Sequence, residues 1–193
     1  VIEFINKEGG FVNYDMIMYK FVEELNQLGI NNKYMLKGVL DPEISNMFFT
    51  NRDYISKYKG VNSSTIINQY INSKNDEFSF HDLTDRFSGM KDYVLYNILY
   101  NRDDIIWLSN KRYVQKDNLH INDEVIHSIY EECENLFIQL KSNQISSKKI
   151  YAKLSFTNSE LLKQIHVVKS HFDLFSVLQS FFKDKFYFNR PII

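Results

Sequence analysis

A chain of 193 residues with one cysteine, two prolines and six glycines leaves several protein classes without material. The lone Cys133 has no partner for an internal disulfide, which excludes a disulfide-stapled scaffold and predicts a reducing, cytoplasmic home. So little glycine and proline excludes collagen-like and low-complexity chains. No apolar run approaches the ~20 residues of a membrane span, and the longest are strand-sized. Val1 to Gly10 holds two acidic residues and none of the apolar stretch of a secretory leader, and the missing initiator Met predicts a piece of a longer protein. Neither sign of charge is in excess: 23 Lys and Arg against 24 Asp and Glu give −1. That balance argues against a polybasic binder but leaves local patches open.

Catalytic patterns are missing as well. There is no P-loop, no G-x-S-x-G and no G-x-G-x-x-G. His120, His127 and Cys133 are spaced seven and six apart, which matches no zinc site, and His166 and His171 fall off a common helical face. The Asp103-Asp104 pair suits a turn better than a metal. The sequence therefore predicts no enzyme, and neither a cofactor, a metal nor a small-molecule substrate.

What is present is surface to bury. With 16% aromatic and 44% hydrophobic residues, a disordered tail is excluded, and the length allows one or two ordinary domains or three of roughly 60 residues. One pattern occurs three times: Tyr34-Met-Leu36-Lys-Gly-Val39-Leu40, Tyr93-Val-Leu95-Tyr-Asn-Ile98-Leu99 and Phe172-Asp-Leu174-Phe-Ser-Val177-Leu178. Eleven residues after the last Leu, each copy has Asn and a basic residue: Asn51-Arg52, Asn110-Lys111 and Asn189-Arg190. The spacing holds without gaps over 18 positions. Leu, β-branched residue and Leu at i, i+3 and i+4 form one face of a short helix. The β formers on either side of the Asn-basic pair then predict a hairpin, with Asn tolerating the left-handed backbone of its turn. Residues 47–57 and 181–193 read the same way, although Pro191 limits pairing in the last.

Upstream lie further short helices. Ser63-Ser64-Thr65 is expected to cap one, Ser79 to Asp82 to open another with Leu83 and Phe87, and Ser146-Ser147 to precede a third. Thr157 to Ser159 opens Glu160 to Val167, and the first copy reads as one long helix from Tyr14 to Leu28. Helix, helix, helix, hairpin resembles the winged-helix fold, the helix-turn-helix variant whose third helix precedes a β-hairpin wing. The expected class is mainly α with short β-hairpins, in three tandem winged-helix-like units. These are 1–60, clipped at its start, then 61–120, then 121–193 with a connecting helix from Asn122 to Lys141. The resemblance implies recognition helices beginning near Asn32, Lys91 and Lys169, and wings at Asn51-Arg52, Asn110-Lys111-Arg112 and Asn189-Arg190.

Charge is distributed to match. Arg52, Lys57 and Lys59 against Asp53 give a local +2; Lys111, Arg112 and Lys116 against Asp117 another; Lys183, Lys185 and Arg190 against Asp184 a third. The connector, with Asp123, Glu124, Glu131, Glu132 and Glu134, is −5. Basic loop tips can reach phosphates. On the third helices, Asn32, Lys33 and Lys37 offer phosphate and base-edge contacts. Lys91 and Asn97 follow in copy two, beside a repelling Asp92, and Lys169 in copy three with His171, Asp173 and Ser176. No copy places an Arg there, the commonest specific base reader. The expected function is a DNA-binding tandem winged-helix region of a transcription- or replication-related protein. The alternative is a protein-interaction module docking on a partner such as a polymerase subunit through Tyr96, Tyr100 and Phe175.

Overall fold

The structure, a computed structural model, describes residues 1–189. It is mainly helical with two small antiparallel three-stranded sheets, an α+β arrangement. The chain forms two compact units, Val1–Lys74 with Phe80–Arg102, and Asn75–Ser79 with Asp103–Ile193. The chain thus passes from one unit to the other within the 61–120 stretch.

The first unit begins with α1 (Ile2–Lys7), β1 (Phe11–Asn13), α2 (Tyr14–Lys20) and α3 (Val22–Gln27). Asn13 caps α2, its Oδ1 accepting the Asp15 N–H at 2.8 Å. The single helix expected from Tyr14 to Leu28 is two helices. Phe21 leaves helical geometry at φ −116°, its ring edge-on to Phe4 of α1 at 5.6 Å, so apolar burial breaks the helix there. Next come α4 (Lys33–Ile44), capped by Asn32, and the hairpin of β2 (Phe49–Thr50) and β3 (Tyr54–Ser56). β1 joins the far side of β3, giving the order β1-β3-β2, with Val12 and Thr50 both opposite Ile55. Ile5, Val12, Tyr14, Ile17, Leu36, Ile44 and Ile55 meet in one core. Then follow α5 (Ser63–Asn72), α6 (Phe80–Arg86) and α7 (Asp92–Tyr100). Asn62, rather than the Ser-Ser-Thr run, caps α5.

The second unit holds β4 (Phe78–Ser79), β5 (Ile105–Leu108) and β6 (Arg112–Gln115) in the order β4-β6-β5. Between β5 and β6 the chain turns through Asn110 and Lys111, both left-handed at φ 58° and 55°, as the Asn at the tip required. The Asn51 turn needs no left-handed residue; it closes by Asn51 N–H donating to the Tyr54 carbonyl at 2.9 Å. After the sheet come α8 (Asp123–Leu140), α9 (Ser147–Thr157), α10 (Ser159–Lys163) and α11 (His171–Phe182). α8 is the expected connector, capped by Asn122 and burying Val125, Ile129, Cys133 and Leu136. α10 stops four residues short of Val167. The hairpin expected at 181–193 is absent over the described residues: 181 and 182 finish α11, and 183–189 contain no strand. The Phe186 ring instead packs 5.4 Å from Tyr130 and 5.5 Å from Phe137, closing the core over α8. Among the described residues, the first two copies of the repeat carry a hairpin.

The repeated helix face is realised unequally. Leu95, Ile98 and Leu99 are buried, as are Leu174, Val177 and Leu178. In copy one Leu36 is buried and Leu40 half-buried, but Val39 is 59% exposed. Tyr96, expected at the surface, stacks on Phe80 at 4.1 Å and is half-buried; Phe175 is half-buried edge-on to Phe188, and only Tyr100 of the three is well exposed.

Candidate nucleic-acid interface

At the start of α4, side chains expected to face a ligand are engaged within the unit. Asn32 Oδ1 accepts the N–H groups of Tyr34 and Met35, each at 3.0 Å, so its acceptor is spent on capping. Lys33 Nζ donates to Asp53 Oδ1 at 2.9 Å and lies 3.7 Å from Asp15 Oδ2. The Asp53 carboxylate holds the Lys33 pKa above its ordinary value, against the lowering effect of burial. Lys37 Nζ donates to Asp41 Oδ2 and to the Asn51 carbonyl, both at 2.6 Å, tying α4 to the β2–β3 turn. The Tyr14 hydroxyl donates to Asp41, and burial, then that bond and the Asp41 charge, push its pKa up. The outward face of α4 is left to Tyr34 (60% exposed), Met35 (44%) and Val39.

The β2–β3 end of this unit is different. Arg52, Lys57 and Lys59 are exposed and make no ion pair among the described residues, and Asn51 is exposed with its Oδ1 accepting the Asp53 N–H at 3.2 Å. The Lys57 stem lies against Gly10, where an added Cβ would come within 2.9 Å of it.

In the second unit the tip is partly committed. Asn110 and Lys111 are exposed, but Arg112 donates to Asp173 Oδ2 at 2.9 Å and to Glu77. Lys169 pairs with Glu77 as well. Asp173, expected on an exposed helix face, is completely buried; it also accepts the N–H groups of Ser109 at 2.7 Å and Lys169 at 3.0 Å. Burial alone raises its pKa, but the bonds from Ser109 and Lys169 and the Arg112 charge outweigh this and hold it below the carboxylate range. Lys91 caps α7 without a side-chain bond and is exposed, as are Asn97, Asp92 and Asn189. Arg190 lies outside the described residues.

Comparison with protein-family models, curated proteins and solved structures gives no match. Among the described residues, no helix is long and apolar enough to cross a membrane, and no three His, Cys, Asp or Glu side chains converge on a metal-sized site.

Sequence reasoning missed the partners rather than the cations. Lys37–Asp41 has i, i+4 spacing and was readable. Lys33–Asp53, Arg112–Glu77 and Arg112–Asp173 join residues 20, 35 and 61 apart, and no local pattern announces them.

Proposed function

We propose that this chain is a nucleic-acid-binding region of winged-helix type that grips the duplex backbone through its first wing. The observation that carries the reading is an order that occurs twice: helix, strand, helices, hairpin, with the early strand paired to the last. It runs once from α1 through β3 and once from α5 through β6, and the early strands β1 and β4 complete the wing sheets. Fold leaves function open, so the site must decide it. At the first wing Arg52, Lys57 and Lys59 have the exposure and charge to meet phosphates. The outward face of α4 offers the Tyr34 hydroxyl but no Arg, Asn or Gln, the side chains that read base edges in pairs of bonds, so binding is expected to be largely independent of sequence.

Fluorescence anisotropy of a mixed-sequence duplex tests this at ~50 and ~200 mM salt, where phosphate contacts respond most. Arg52→Glu with Lys57→Glu should lower affinity by about tenfold or more and flatten the salt slope by about two contacts. No binding of the unaltered chain at ~50 mM salt would overturn the proposal.

One observation favours the second reading, a docking module. Tyr34, Met35 and Val39 form an exposed apolar stretch on a helix, the kind of surface a protein partner such as a polymerase subunit covers. Under it, Val39→Asp should abolish capture of such a partner while the reversed wing leaves capture intact. The opposite pattern would refute it.

A further inference from the structure

The proposed duplex contact carries a feature that its basic wing does not explain. A lysine at the first position of α4 faces the wing, yet its ammonium is taken by a carboxylate from the wing's own turn. We infer that Asp53 occupies Lys33 in the way a backbone phosphate would, so that α4 adds its cation to a nucleic-acid contact only when phosphate displaces that carboxylate. The inference rests on the proposed duplex binding and assigns Asp53 the role of setting its strength.

Three features support the exchange. The pair is reachable: the Lys33 and Asp53 side chains retain 26% and 48% of their exposure, so an incoming anion has access to both. It is weakly held, because an ion pair so open to water gains little over the solvation its two charges give up. Its rupture leaves the turn intact, since the main chain of Asp53 donates to Asn51 Oδ1 and accepts from the Tyr14 N–H at 3.1 Å. Lys37 differs in its partners: it is bound at once to Asp41 and to the Asn51 carbonyl, so its role is to hold the turn. Asp15, at 3.7 Å, lies beyond hydrogen-bond reach of Lys33 and holds it less closely than Asp53 does.

A charge cancelled inside the protein has already lost its share of the counterion effect. The unaltered chain should therefore show a salt slope that omits Lys33, and releasing Lys33 should steepen it by about 0.9. The experiment is anisotropy of the mixed-sequence duplex with the whole chain carrying Asp53→Asn, with Asp53→Ser as a second release variant and Asp117→Asn as a control for loss of one negative charge. Asp53→Asn should bind about three- to tenfold tighter at ~50 mM salt, and the gain should shrink about 3.5-fold by ~200 mM. Adding Lys33→Met should return the affinity to that of Lys33→Met alone. A gain that persists without Lys33, or that Asp117→Asn matches, overturns the masking role and leaves duplex binding standing. No duplex binding by any variant overturns both. Thermal melts of each variant establish that the folded chain is being compared.

Discussion

Asp173→Asn tests the best-determined electrostatic feature of the second unit. The carboxylate is fully buried and accepts from Ser109 N–H, Lys169 N–H and the Arg112 guanidinium. Asparagine keeps one acceptor but turns an amide N–H₂ towards donors, so at least one of these bonds is lost and the Arg112 charge loses its buried counterpart. Breaking a buried pair from one side costs about 3–5 kcal/mol, and Glu77, still bonded to Arg112, brings the expectation to the low end, about 3 kcal/mol. The chain's one tryptophan, Trp107 on β5, lies edge-on to Tyr113 of β6 at 5.1 Å and reports on this sheet. With an m-value of about 2 kcal/mol/M, its urea midpoint should fall by about 1.5 M. Glu77→Gln, at a more open position, should cost about 1 kcal/mol. The folded Asp173 pKa is depressed, so its contribution is present above the unfolded value near 4 and is lost as pH falls through the folded one. The gap between the native chain and Asp173→Asn should accordingly close below about pH 4. A loss under about 1 kcal/mol at pH 7, or a gap indifferent to acid, would refute this account of the network.

Further expectations concern packing. Gly89 sits at φ +88° with an added Cβ placed 2.4 Å from the Asp15 carbonyl oxygen, so Gly89→Ala should cost at least about 2 kcal/mol in a circular-dichroism melt; a neutral substitution would show that the approach is looser than drawn. Val39 and Val177 hold the same place in the repeat but are 59% and 2% exposed: Val177→Ala should cost about 2 kcal/mol and Val39→Ala nothing, and equal costs would contradict their different burial. Burial, followed by the Glu132 and Glu134 charges, pushes the Cys133 thiol up to about 12, so at pH 8 it should resist alkylation until α8 opens, and Asp173→Asn should speed labelling by loosening the same unit. Labelling of the native chain at the rate of a free thiol would exclude that burial.

Much of the architecture was legible because it is local. The i, i+3, i+4 faces located α4, α7 and α11 to within two residues of their starts, and the Asn-basic pairs marked two true hairpin turns. β1 and β4 escaped because a strand of two or three residues has no period to detect; each exists only through pairing with β3 or β6. The third copy misled because its pattern specifies a helix and a polar pair but not what the intervening aromatics do. Phe186 gains more by joining Tyr130 and Phe137 than by entering a two-stranded ribbon, which is marginal by itself in water. Val39 matched the repeat and is still exposed, since spacing selects a helix face without guaranteeing a neighbour to cover it.

The candidate site was legible only as an inventory of cations. Counting them gave three equally basic tips, whereas the folded chain sorts them by what stands opposite. Arg112 and Lys169 share Glu77, Lys33 and Lys37 meet aspartates, and the exposed cations without ion pairs near the first hairpin are Arg52, Lys57 and Lys59. For an anionic ligand the difference is thermodynamic: a phosphate meeting an unpaired lysine releases counterions, whereas one meeting a paired lysine must exchange one anion for another with little release. The salt slope of duplex binding therefore counts unpaired contacts rather than lysines. A slope near three for the unaltered chain is what the first wing predicts by itself, and one near five would require Lys33 and Lys37 to be open as well. The latter outcome would mean that the aspartate pairs are already open in the free chain, and α4 would have to lie against the duplex.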